Sequence, residues 1–418
     1  MYTIYITVIF ILLFIIMFQL SHKYLYILFS IIILYVLYIK NKKHQFWDKQ
    51  PVNRNKSTNI ISIIKKLTPQ NTQLEKLPNN IKRDRVNVLV AIDRNNQGSF
   101  LSKNYSDGEE WREFINKNYI KHTNYTKKYI DWILHYPIKQ FPGLHIHPID
   151  HWNLLFRNSE NEIVGSIRAT PIELSIYGEK QYVFYVDFLC VHKSARKIGL
   201  APKLISDMVH QGAIYPFQSF IFKKEKKPLP FEYVMKSNYY ILDIRKDMNW
   251  LLINRINKNN IHRMDEDTSA KDIADLHTFV NEKASKFVIH PIFMSTQFSY
   301  LFTTKHEIVY TYYIKEDNKI KGFVSFLHYN SSIKNTKFNY VELFYGFMDT
   351  YYQLNSLILS LIPKLKKMGY QYILCSKNQN YELMLDSLGF VKSEPLYLHF
   401  YNLSAPRIPS KDICFNMP

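Results

Sequence analysis

Residues 182–201 read YVFYVDFLCVHKSARKIGLA. The first ten, 182–191, are mostly β-branched and aromatic, the pattern of a buried strand. A basic turn, His192-Lys193-Ser194-Ala195, follows. Arg196-Lys197-Ile198-Gly199-Leu200-Ala201 then gives R-x-x-G-x-A, and Pro202 opens a helix expected over 202–210. Such a joint makes an anion cradle. Unpaired N–H groups of the first helical turn point outward, and the helix dipole favours negative charge there. Gly199 lets the backbone approach a ligand, and Arg196 and Lys197 supply charge. The plainer reading is an ordinary strand–helix joint with a basic patch. R-x-x-G-x-A alone does not separate the two.

Composition bounds the rest. At 418 residues the chain has room for two domains or one doubled domain. Cys190, Cys375 and Cys414 suit a reducing compartment and lack metal-ligand spacing. His145, His147 and His151 lack supporting carboxylates, so no metal is expected. A formal net charge of +19 fits a nucleic acid, a membrane surface or a phosphate-bearing cofactor. The basic residues are scattered and no nucleic-acid motif is present, so a membrane-tethered nucleic-acid binder ranks last.

Residues 2–20 contain no charge and, at ~1.5 Å per residue, are long enough to cross a ~30 Å bilayer core. A second apolar run covers 24–39, and Lys40, Lys42 and Lys43 follow. We expect residues 1–43 to be a membrane anchor of one or two transmembrane helices. The lysines place the remaining chain, with its catalytic part, in the cytosol.

Residues 44–52 read HQFWDKQPV. Two aromatics after an anchor suit an interfacial belt. The string also resembles Q-F-W-D-x-Q-P-V, the N-terminal arm of the N-myristoyltransferases. About 140 residues further on, Asp187-Phe188-Leu189-Cys190-Val191-His192-Lys193 resembles that family's E-I-N-F-L-C-V-H-K signature. Two motifs in family order mark a resemblance covering roughly 44 to the C-terminus. The helix expected over 107–120, with Asp107 as N-cap and Trp111, Phe114, Ile115 and Tyr119 on one face, has a family counterpart ending N-E-N-Y-V-E-D. Here the acidic residues are replaced by Lys121 and His122.

An internal repeat supports a doubled fold. A strand, the turn 158–162 and Ile163-Val164-Gly165 recur as a strand, the turn 315–319 and Ile320-Lys321-Gly322. Ile163 matches Ile320, and Gly165 matches Gly322. The fold class expected is α/β (α+β), two fused acetyltransferase-like units with pseudo-two-fold symmetry behind the N-terminal helices. The halves are 44–255, which binds acyl-CoA, and 256–418, which carries the peptide side. The second half has no R-x-x-G-x-A, so one acyl-CoA site per chain follows.

The resemblance implies the site. Gln45, Phe46 and Trp47 cover the acyl-CoA. The backbone N–H groups of Phe188 and Leu189 form an oxyanion hole where a strand bulge frees them. Cys190 and Val191 line the thioester channel. Arg196, Lys197, Gly199, Leu200 and Ala201 hold the CoA phosphates. The carboxylate of Pro418 is the base, with Asp187 the nearest side-chain acid. Myristoyl-CoA is a co-substrate, no prosthetic group is implied, and the acceptor is the N-terminal glycine of a peptide or protein. A monomer is expected. The peptide side departs from the family: K-F-G-x-G-D-G becomes 388–394, without Gly-Asp-Gly. Y-W-H-R becomes Tyr233-Val234-Met235-Lys236, and a threonine-alanine-glycine segment becomes Phe222-Lys223-Lys224. An acyltransferase for a different amine and an acyl-CoA binder without transfer therefore stay open.

Overall fold

The computed structural model describes residues 99–100, 105–119, 123–137, 153–196, 198–213, 219–246, 256–333, 336–349, 351–379, 381–403 and 405–418, with short pieces at 27, 29–35, 45–48, 50 and 52. Residues 1–50 form one compact unit and 51–418 another.

The larger unit carries one twisted sheet of fourteen strands. Ten of them build the core: β1 (Asn153–Arg157), β2 (Ile163–Ile176), β3 (Glu179–Val191), β4 (Phe220–Glu225), β5 (Met235–Asp243), β6 (Val309–Glu316), β7 (Lys319–Ile333), β8 (Thr336–Met348), β9 (Tyr372–Ser376) and β10 (Val391–Tyr401). Their order is β1-β2-β3-β4-β10-β5-β9-β8-β7-β6. Strands β1–β3 are antiparallel, β3 and β4 are parallel, and β6–β8 and β8–β9 repeat the pattern. The last strand of each half is exchanged: β10 pairs with β4, and β5 pairs with β9. β5 and β10 pair with each other at the centre. A pseudo-two-fold therefore relates the halves, and one sheet runs through both.

The repeat read from sequence is present in the registers. Both outer hairpins slip by one residue at the same place. Phe156 faces Gly165 and Arg157 faces Ile163, while Ile314 faces Gly322 and Lys315 faces Ile320. Gly165 is required by packing: a Cβ there would lie 2.9 Å from a methyl of Leu204.

Seven helices complete this unit among the described residues: α1 (Tyr105–Asn118), α2 (Lys127–Leu134), α3 (Leu200–Ala213), α4 (Ala270–Ala284), α5 (Ser295–Phe302), α6 (Tyr351–Lys367) and α7 (Glu382–Ser387). Helix α3 joins β3 to β4, as α6 joins β8 to β9. Helix α1 buries Trp111, Phe114 and Ile115, the face its periodicity predicts. It begins at Tyr105, so Asp107 sits in its first turn and is not the N-cap. Helix α3 begins two residues before Pro202, which falls within the first turn, where a missing N–H costs nothing.

In the smaller unit, Ile27, Phe29, Ile31, Ile33, Leu34 and Tyr35 are helical and exposed. Among the described residues no helix is long and apolar enough to cross a membrane. The transmembrane helices expected within 1–43 fall almost wholly outside those residues, as do His145, His147, His151, Lys121 and His122.

Candidate active site

Strands β3 and β4 are paired only from Phe184–Val186 to Phe220–Phe222. Both continue, so they part at Asp187 and Lys223. The opening lies beside a β-bulge. Ser166 faces Cys190 and Arg168 faces Asp187, leaving Phe188 and Leu189 together opposite Ile167. Phe188 takes a left-handed φ of 47°, which costs a non-glycine residue about 1 kcal/mol or more. Packing holds it there. Its ring meets Trp111, Tyr119 and Tyr125 with centroids 5.2–5.3 Å away, and its carbonyl accepts from Ser166 Oγ at 3.1 Å. Leu189 is exposed, Val191 is half-buried and Cys190 is buried. Burial pushes the Cys190 thiol up to about 12, so it stays protonated at neutral pH and is no nucleophile.

The cradle follows directly. His192 caps a short 3-10 turn, Lys193–Ala195, by accepting from the Ser194 N–H. Arg196 is exposed, and its Nε donates to the Val191 carbonyl at 3.1 Å. One face of this guanidinium is thus spent on bracing the turn. Gly199 has φ +91°, and a Cβ there would meet no protein atom within 4 Å. A glycine is favoured there by the left-handed backbone conformation. Leu200 is buried and Ala201 half-buried at the start of α3. Lys197 lies outside the described residues.

The second half has the equivalent opening. β8 and β9 are paired only from Tyr340–Glu342 to Tyr372–Leu374, and β8 bulges between the partners of Ser325 and Phe326, at Phe344. Here the C-terminal tail fills the gap. The Gln379 N–H donates to the Ile413 carbonyl at 3.0 Å. Asn416 donates through Nδ2 to the Phe344 carbonyl at 3.2 Å, and the Tyr345 hydroxyl both accepts from its N–H and donates to its carbonyl. Cys414, Phe415, Asn416 and Met417 are buried. The tail is thus an ordered element. Pro418 ends in a small cleft shared with Trp132, Tyr136, Arg168, Thr170 and Tyr300.

Several charged groups here escaped the sequence reading. Arg168 is buried on β2. It donates to Asp187 Oδ2 at 2.7 Å and to the Ile133 carbonyl at 2.9 Å. Burial raises Asp187 to about 7, against the pull of Arg168 and, more weakly, Lys223. Lys223 donates to Asn416 Oδ1, and burial lowers its pKa. Burial raises the pKa of Glu342. Arg168 is a buried cation on β2, a signal that periodicity does not weigh. Beside β4 and β10, Tyr233, Phe222 and His399 form an aromatic cluster: His399 stacks on Phe222 at 5.6 Å, and burial lowers its pKa to about 4.

In the smaller unit Gln45, Phe46 and Trp47 lie on a single helical turn, Gln45–Asp48, with the two rings edge to face at 5.0 Å.

Two family models match the chain. "Myristoyl-CoA:protein N-myristoyltransferase, N-terminal domain" matches residues 61–223, and the corresponding C-terminal domain matches 246–411. The chain belongs to the N-myristoyltransferase family. Among relatives, the glycylpeptide N-tetradecanoyltransferase of Plasmodium falciparum is 24% identical over 331 residues, covering 73% of this chain and 75% of its own. The Dictyostelium discoideum protein of the same name is 22% identical over 406 residues, covering 90% and 92%. The structure of Saccharomyces cerevisiae N-myristoyltransferase with bound myristoyl-CoA superposes with a TM-score of 0.68 at 20% identity, covering 88% of this chain and 94% of the other. In this N-myristoyltransferase-family fold the tail fills the second opening and, through Asn416, reaches Lys223 at the lip of the first.

Proposed function

We propose that the chain is an N-acyltransferase that moves a myristoyl-type group from acyl-CoA to the N-terminal glycine amine of a peptide or protein. The observation that carries this is the bulge at Phe188–Leu189, set where β3 and β4 part and directly ahead of the Arg196–Ala201 cradle. In this reading the first-turn N–H groups of α3, with Arg196, Lys197 and Gly199, hold the CoA phosphates. Cys190 and Val191 line the channel. The Phe188 and Leu189 N–H groups stabilise negative charge as the thioester oxygen becomes tetrahedral. The acceptor amine attacks the carbonyl carbon, the C–N bond forms, and the C–S bond breaks. One ammonium proton passes to a base and the second to the leaving thiolate.

The carboxylate of Pro418 is the proposed base. Its support is the buried tail, which brings Pro418 to the cleft beside Arg168 and Thr170. The exposed apolar residues Ile27, Phe29, Ile31, Ile33, Leu34 and Tyr35 support an N-terminal anchor in a membrane; in this reading the larger unit lies in the cytosol and the protein acts as a monomer. The halves 44–255 and 256–418 stand as a reading of the repeat. An acyl-CoA binder without transfer is the second reading, favoured by the changed Phe222-Lys223-Lys224 segment.

Single-turnover transfer from labelled myristoyl-CoA to a glycyl peptide tests the reading. The native chain and a chain with several residues appended after Pro418 are compared. Extension is expected to lower transfer sharply and leave acyl-CoA affinity nearly intact, because each added residue moves the charge by ~3.3–3.6 Å. Equal turnover by both chains would remove Pro418 as the base. Binding without transfer by either would leave the second reading.

A further inference from the structure

Lys223 stands at the lip of the first opening, one residue past the last pair that joins β3 to β4. Lys223 is half-buried, and drawing a lysine out of water is costly unless its charge is met. Lys223 meets it with Asn416 Oδ1, two residues from the chain end. Asn416 is held by three further groups. Its Nδ2 donates to the Phe344 carbonyl at 3.2 Å and to the Leu343 carbonyl at 3.4 Å, and its backbone is bonded at both ends by the Tyr345 hydroxyl. Lys223 further lies over the Phe415 ring, 5.9 Å from its centroid. One lysine of the first half is thus the polar link between the open site and a tail lodged in the second half. The groups facing it are Glu342 from β8, Glu225 from β4 and Asp187 from β3.

We infer that Lys223 is a positioning residue that sets the chain end at the reaction centre, by fixing Asn416 across the mouth between β3 and β4. The inference rests on the proposed role of the Pro418 carboxylate. Two residues reach at most ~7 Å, so holding Asn416 confines that carboxylate to a small volume.

A double-mutant cycle on the full chain tests it, with Lys223→Met, Asn416→Ala and the pair. Three quantities are read: kcat for a glycyl peptide, KM for myristoyl-CoA, and amide hydrogen exchange over 413–417. Each single change is expected to lower kcat by about tenfold, leave the myristoyl-CoA KM unchanged and speed exchange in the tail alone. The double variant is expected to be no worse than either single one. Additive losses in kcat and in tail protection would overturn the inference. So would a rise in exchange spread over the whole sheet, which marks a merely structural lysine. If the native chain binds myristoyl-CoA but transfers nothing, the reading of transfer fails. Coupled, tail-confined exchange would then still uphold the link, and uncoupled exchange would remove it.

Discussion

Asp187 and Gly199 carry the clearest consequences of single residues. Gly199 has a left-handed φ with no protein atom near its missing Cβ. Gly199→Val forces a β-branched side chain into that conformation, which costs about 1–3 kcal/mol. We expect weaker binding of myristoyl-CoA by calorimetry, with thermal stability lowered by a similar energy. Asp187 has a folded pKa of about 7, above the ~3.9 of an unfolded aspartate, because burial disfavours its charge more than Arg168 favours it. A raised carboxylate contributes stability that is present at low pH and lost as pH rises through the folded value. Between about pH 4 and 8 the wild type should therefore lose stability, and Asp187→Asn should flatten that slope. Urea unfolding of both across the range checks it. The bulge residues Phe188 and Leu189 were legible from the resemblance, but Arg168 was not. Its meaning depends on Asp187 and on the Ile133 carbonyl, which only the folded chain brings together.

Among the elements, the tail 413–418 and the two openings in the sheet decide how the site is made. Both halves carry the bulge and the parted strands. Only the second opening is filled by the tail. The Tyr345 hydroxyl serves both the N–H and the carbonyl of Asn416. Tyr345→Phe leaves two buried backbone groups without that partner, at about 1–3 kcal/mol for each unmet group. Chemical denaturation should show the loss, and transfer should fall while myristoyl-CoA binding holds. The exchange of β5 and β10 between the halves was not legible. Each strand's alternation is local, whereas its partner lies far along the chain and is chosen by the whole sheet. The helices expected over 107–120 and 202–210 were read to within a few residues of Tyr105–Asn118 and Leu200–Ala213.

At the scale of the molecule, one sheet through 51–418 joins an anion cradle from the first half to a chain end lodged in the second. A separate N-terminal unit shows apolar helical residues. Extraction of the full chain from membranes at alkaline pH should leave it in the pellet, and removal of residues 1–43 should release it to the supernatant. A full chain found in the supernatant would count against an anchor. The central claim is that an acyl group passes to an N-terminal glycine amine. Its most direct measurement is incubation with labelled myristoyl-CoA and two peptides that differ only in a free or an N-acetylated N-terminal glycine. We predict label on the free-amine peptide alone, in a linkage that survives hydroxylamine as an amide does and a thioester does not. Saturable myristoyl-CoA binding with no label on either peptide would contradict the account.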